Sequence, residues 1–146
     1  MTAAGPALTP QALGLPAKFH RGWRPWQWEA IDTMISDLQE YRFAPGMLPV
    51  GAGKSVDYVA VHQAMGWRTI ILTKSKALQT QLMADFESIG MVDIRGRNNY
   101  TCQLGSEYTC EHGQHARCPY MREPRCPYWA ARNRALLSDL VVTNYS

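Results

Sequence analysis

The chain predicts an α/β fold with a parallel sheet, interrupted by one small cysteine-bearing module. Three observations carry that reading. Compact runs rich in β-branched residues, at 68–73 and 139–145, alternate with segments whose apolar residues recur at helical spacing. A glycine-rich loop, Gly51-Ala52-Gly53-Lys54-Ser55, stands where a short apolar piece gives way to a helix. Between residues 96 and 127 the alternation stops, and all four cysteines fall in that gap.

Residues 1–22 carry Pro6, Pro10, Pro16 and three glycines, and read as a flexible leader. Pro25 suits a first helical turn, because its missing N–H would have had no partner there. Ile31, Met34, Ile35 and Leu38 then recur at helical spacing, so a helix is predicted over 25–41, ended by Pro45 and Gly46. Met47-Leu48 forms a short strand-like lead into the glycine loop, and a helix follows over 54–65. "RTIILT" at 68–73 reads as a buried parallel strand. Leu78, Leu82, Phe86 and Ile89 mark the face of a further helix, and 91–95 suits a short strand. After the cysteine segment, a helix over 128–137 leads to a last strand at 139–145. The organisation is therefore a leader (1–22), the main α/β part (23–95), a four-cysteine module (96–127), and a returning helix and strand (128–146).

With 146 residues the chain can bury one core, and 46% apolar against 18% charged residues describes an ordinary globular protein. The first 20 residues lack the basic and apolar blocks of a signal peptide, and no apolar run reaches the roughly 18 residues of a membrane span. A cytoplasmic setting without a membrane is expected, where reduced thiols favour metal or redox chemistry over disulfides. The net charge of +3 is mild, but 11 of the 15 basic residues are Arg, and seven of these lie between Arg95 and Arg134. Arg suits forked contacts to phosphate and stacking on bases; a solvated basic face is the plainer alternative.

The loop "LPVGAGKS" (48–55) fits the end of the phosphate-loop pattern Gly-x-x-x-x-Gly-Lys-Ser, with Leu48 at the first position in place of Gly. Glycines let backbone N–H groups turn inward, and the helix N-terminus adds positive potential. Lys54 would reach the β- and γ-phosphates of ATP, and the Ser55 hydroxyl would ligate Mg²⁺. Upstream, Arg24 and Gln27 frame an Arg-x-x-Gln, and a glutamine amide matches the donor–acceptor edge of adenine. Thr73, Lys74 and Lys76 stand at a strand's C-terminal end, where ligands of open α/β sheets sit, and suit a nucleic-acid backbone. A helix cap with solvated lysines explains the same residues more simply.

Cys102, Cys110, Cys118 and Cys126 are each separated by seven residues, unlike the Cys-x-x-Cys knuckle of a zinc ribbon. Four thiolates can hold a [4Fe–4S] cluster; His112 and His115 leave zinc open, and an accidental spacing with no metal remains a third reading. Tyr100, Tyr108, Tyr120, Tyr128 and Trp129 beside so many arginines suit single strands, or else pack the module's own core.

Together these pieces resemble the iron–sulphur helicases of superfamily 2, the XPD/DinG-like family. "RPWQ" resembles the Q-motif, "LPVGAGKS" is similar to motif I with Leu48 and Val50 as departures, and "ILTKSKALQTQL" looks like motif Ia. "GRNNYTC" and "CPYWAARNRALLSDLVVTNYS" resemble the segments that lead into and out of the family's cluster. The resemblance runs from Arg24 to Ser146. It implies part of a RecA-like phosphate-loop domain, ATP-driven movement on single-stranded or forked DNA, and a cluster that helps part the strands. By position, Gln27 would meet adenine; Gly51, Gly53, Lys54 and Ser55 would meet phosphate and Mg²⁺, with Arg24, Pro49 and Ala52 also at the nucleotide; the four cysteines would hold the cluster, with zinc as the alternative; and Thr73, Lys74 and Lys76 would lie at DNA. The family's motif II contains an Asp-Glu pair, which these 146 residues lack. The chain alone is therefore expected to depend on the remainder of the helicase, or on a partner subunit, for hydrolysis. The competing reading is a metal-stabilised module that grips single strands without a motor.

Overall fold

The computed structural model describes residues 8–145; residues 1–7 of the expected leader, and Ser146, lie outside the described residues. The chain divides into two units, 1–69 and 70–146.

The first unit is built on two helices that pack together, α1 (Gln27–Glu40) and α2 (Lys54–Met65). The apolar face predicted for α1 turns inward at Ile31, which is fully buried, while Met34, Ile35 and Leu38 are half-buried. Helix α2 buries Asp57, Val59 and Ala60, and ends on Gly66 in the left-handed region, the usual way to release a helix. Two expectations change here. Residues 8–22 are not a loose leader: they form turns and one 3₁₀ turn at Ala17–Phe19, with Leu13 and Leu15 buried. The reason is side-chain hydrogen bonding to backbone carbonyls. Trp23 donates its indole N–H to the Leu8 carbonyl (2.8 Å), and the His20 ring lies 2.7 Å from the Leu15 carbonyl. Nor is there a strand at Met47-Leu48; Met47 is exposed and no ladder partner meets it among the described residues. Backbone without a ladder partner does not count as a strand, whatever its propensity.

The second unit contains a three-stranded parallel sheet in the order β1-β3-β2, formed by β1 (Thr69–Thr73), β2 (Val92–Asp93) and β3 (Leu140–Asn144). Val92 pairs with Val141 and Asp93 with Val142 in parallel register. The central strand β3 is buried at Leu140, Val141 and Val142. Strand β1 lies at the edge, and alternates rather than being buried throughout: Ile71 and Thr73 are covered, Ile70 and Leu72 exposed. Helix α3 (Lys76–Phe86) packs on β3 and β2; α5 (Pro127–Leu137) packs on β2. Ser75 caps α3 by accepting the Leu78 N–H at 3.2 Å. The buried face of α3 is Gln79, Leu82 and Phe86, rotated from the predicted Leu78, Leu82 and Phe86, and Leu78 is exposed. Gln79 is tolerated inside because its amide donates to the carbonyls of Ile94 (3.0 Å) and Val142 (3.3 Å). Between β2 and α5, a 3₁₀ turn at Arg97–Asn99 packs against the short α4 (Cys110–His115), and Thr101 bridges Thr109 in antiparallel fashion. Among the described residues no helix is long and apolar enough to cross a membrane.

Candidate functional site

The glycine loop of the first unit turns as its residue types require. Gly51 (φ +83°) and Gly53 (φ +94°) both occupy backbone conformations that L side chains rarely adopt, and Gly53 opens directly into α2 at Lys54. Val56 already donates its N–H to the Gly53 carbonyl at 2.8 Å, and the start of the helix stands beside a lysine, an arrangement that suits an anion. Lys54 folds back over the loop, donating to the carbonyls of Leu48 (2.7 Å) and Pro49 (3.1 Å). Ala52 donates its N–H to the same Pro49 carbonyl at 3.3 Å, closing the turn, and Ser55 is half-buried in the first turn of α2.

The Arg-x-x-Gln segment meets this loop directly. Arg24 donates from Nη1 to the Gly51 carbonyl at 2.6 Å. Gln27 is buried, with its Oε1 accepting the Arg24 backbone N–H at 2.9 Å. Its Nε2 donates to Asp57 Oδ1 at 2.9 Å and, more weakly, to the Gly53 carbonyl at 3.4 Å. A cavity of about 290 Å³ opens beside Gln27 and Gly53, lined also by Lys18, Arg21, Arg24 and Trp23. Lys18 and Arg21 come from the segment expected to be a loose leader.

Asp57 is the residue that sequence reasoning missed. It is fully buried, and its Oδ2 has no hydrogen-bond partner. Burial pushes its carboxyl up from 3.8 to about 6, against the Gln27 hydrogen bond and the nearby charges of Arg24 and Lys54, which hold it down. The available signal was an acid three residues before Ala60, hence on the inward face of α2.

In the second unit all four cysteines line one small cavity of about 10 Å³. Cys102 follows the Thr101 bridge, Cys110 opens α4, Cys118 follows α4, and Cys126 precedes α5. The even spacing therefore reflects four different local structures, not a repeat. Cys110 and Cys126 stand with their sulfurs 4.0 Å apart, and an Arg97 guanidinium N–H points at Cys110 Sγ from 3.9 Å. Burial pushes the Cys110 thiol up, neighbouring Cys126 adds to this, and Arg97 opposes it. Gly113 makes room: a Cβ there would lie 2.5 Å from Cys102 Sγ. The donor set suits a thiophilic metal, and 4.0 Å is near the roughly 3.8 Å edge of a tetrahedral zinc–thiolate site. The fit is incomplete, however. Among the described residues no three ligand side chains are gathered on one point. His112, held open for zinc, serves the backbone instead: its Nδ1 accepts the Thr109 N–H at 3.2 Å in a capping box. His115 is exposed.

The arginines and rings of this segment engage each other. Arg97 lies over Tyr128 (4.1 Å), Arg125 over Tyr120 (4.2 Å) and Arg132 over Trp129 (4.6 Å). Of the residues expected at nucleic acid, Lys74 and Lys76 are exposed, but Thr73 is turned inward. Its hydroxyl donates to the Ser75 and Thr143 carbonyls, both 3.2 Å away, because alternation along β1 puts Ile71 and Thr73 on the covered face. Compared with protein-family models, curated proteins and solved structures, the chain matches none.

Proposed function

We propose that the chain is the ATP-binding front part of a nucleic-acid motor: the N-terminal portion of an iron–sulphur superfamily 2 DNA helicase, with a RecA-like phosphate-loop domain and a cysteine module inserted in it. The observation that carries this reading is the loop from Gly51 to Ser55. Two left-handed glycines deliver a lysine and a hydroxyl to the start of α2, as a triphosphate site requires. Lys54 exchanges its Leu48 and Pro49 carbonyls for phosphate oxygens, and Ser55 supplies a hydroxyl to Mg²⁺, which neutralises phosphate charge when bound. Exposed Lys74 and Lys76 meet the backbone of a single or forked strand. Hydrolysis and movement belong to this chain together with the rest of the helicase or a partner subunit.

Titration with MgATP tests the reading. Wild-type chain binds weakly, and Lys54→Ala lowers affinity about tenfold or more, the worth of one charged hydrogen bond to phosphate. Absence of binding, or binding indifferent to Lys54→Ala, overturns it. The four cysteines around one cavity favour a second reading, a metal-stabilised module that grips single strands. It predicts DNA affinity that responds neither to ATP nor to Lys54→Ala.

A further inference from the structure

The Arg-x-x-Gln segment invites the assumption that Gln27 reads a base, but both of its amide donors are already engaged within the protein. A glutamine amide has two N–H donors and an oxygen with two lone pairs. Both donors point at protein acceptors, Asp57 Oδ1 and the Gly53 carbonyl, and one lone pair takes the Arg24 N–H. The side chain is only 5% exposed. It also presses on the loop, since a Cβ on Gly53 would lie 2.5 Å from Gln27 Nε2. Arg24 holds the loop one step earlier, at the Gly51 carbonyl. The two residues are kept in register by a turn in which Gln27 donates its N–H to the Arg24 carbonyl (3.0 Å), with Trp26 in the left-handed region at φ +63°. A bulky residue is strained there, and persists only where its surroundings impose it. Asp57 is the counterpart on α2: a fully buried carboxylate with one oxygen on Gln27 and the other without a partner. A buried polar group in that state calls for an explanation beyond packing.

We propose that Arg24, Gln27 and Asp57 form a clamp that positions the phosphate loop, with Asp57 fixing the Gln27 amide, and that Gln27 acts through this clamp and not by reading the base. The inference rests on the nucleotide-binding reading of the same loop and adds a positioning residue, Asp57, and a consequence for specificity. A base entering the adjoining cavity, which Gln27 also lines, meets Trp23 and a cationic rim, while both Gln27 donors are held by Asp57 and Gly53. Stacking on a ring is indifferent to base identity. The chain therefore discriminates poorly between ATP and GTP, and the clamp acts equally on a ligand that has no base.

The test compares MgATP, MgGTP and magnesium tripolyphosphate on folded wild-type and variant chains. Asp57→Ala and Gln27→Glu each remove the hydrogen bond, the second by setting two acceptors face to face. Both lower affinity for all three ligands by the same factor, about tenfold. Asp57→Asn keeps an acceptor for Gln27 and stays within about twofold of wild type. The double variant Gln27→Glu/Asp57→Asn restores the bond to residue 57 with donor and acceptor exchanged, though not the weak one to Gly53, and recovers part of the affinity that Gln27→Glu alone loses. A base-reading glutamine gives the opposite pattern: ATP affinity falls relative to GTP, tripolyphosphate is unaffected, and the double variant recovers nothing. That result overturns the clamp while leaving the nucleotide site standing. If wild type binds none of the three, the nucleotide reading itself fails and the clamp with it. A measurement on wild type alone covers variants that do not fold. The Gln27 side-chain N–H signals are protected from exchange, and have the same shifts with tripolyphosphate as with ATP; shifts specific to ATP refute the inference.

Discussion

Replacing Gly113 by Ala sets two effects of opposite sign against each other. Gly113 lies inside α4 and has no positive φ, so helix propensity alone favours Ala by about 0.8–1 kcal/mol. The new Cβ, however, would sit 2.5 Å from Cys102 Sγ and 3.5 Å from Cys118 Cβ. Carbon and sulfur want about 3.5–4 Å, so Cys102 must give by about 1 Å. Its backbone is held by the 2.7 Å hydrogen bond from its N–H to the Tyr108 carbonyl, and its thiol is packed in the small cavity. Overpacking of this kind costs about 1–3 kcal/mol, which outweighs the propensity gain. The net expectation is destabilisation by about 1 kcal/mol, a fall in Tm of about 4 °C, together with faster alkylation of Cys102. Gly46→Ala is the matched control, because a Cβ there meets nothing within 4 Å and no positive φ is involved. That control is neutral or stabilising by up to about 1 kcal/mol, through the unfolded chain. Thermal unfolding by circular dichroism and thiol labelling of both variants decide the matter. If Gly113→Ala stabilises as much as Gly46→Ala and leaves Cys102 protected, the packing of four thiols around one cavity is wrong.

Two further predictions concern single side chains. Burial raises the Asp57 carboxyl from 3.8 to about 6, so the folded chain holds its proton more tightly than the unfolded chain. The stability this contributes is complete below about pH 3.8 and is lost as pH rises through 6, a change of about 3 kcal/mol at most. Relative to wild type, Asp57→Asn is therefore neutral in urea unfolding at pH 4 and stabilising at pH 7.5; a difference independent of pH contradicts this. Ser75→Ala removes the acceptor of the Leu78 N–H and costs about 1 kcal/mol, with a lowered urea midpoint and unchanged slope; no change in midpoint would show that the cap is not made in solution.

Much of the α/β order was legible from periodicity and punctuation. Gly53 before Lys54, and Gly66 after Met65, bracket α2 as read, and Pro127 at the start of α5 gives its boundary to within a residue. Parallel pairing of the last strand followed from the alternation of strands with helices. Elsewhere the pattern misled for identifiable reasons. Leu78 and Gln79 trade places because the Gln79 amide N–H groups find two carbonyl partners inside, although its Oε1 finds none, and hydropathy cannot see such partners. The Pro- and Gly-bearing segment before Trp23 looked loose because its order comes from hydrogen bonds between residues up to 15 apart. The glycine loop and its lysine were readable as a unit, whereas Asp57 was not, since an acid in a first helical turn is ordinarily a solvated complement to the helix dipole. Only the approach of Gln27 from α1 makes it a buried partner.

The claim at the centre is that the loop from Gly51 to Ser55 binds a triphosphate. Backbone amide shifts recorded while MgATP is added to the folded chain test it most directly. The account predicts that the largest shifts fall on the amides of Gly51 to Ser55, and that Lys54→Ala abolishes them. Shifts centred elsewhere, or none at saturating MgATP, would contradict it.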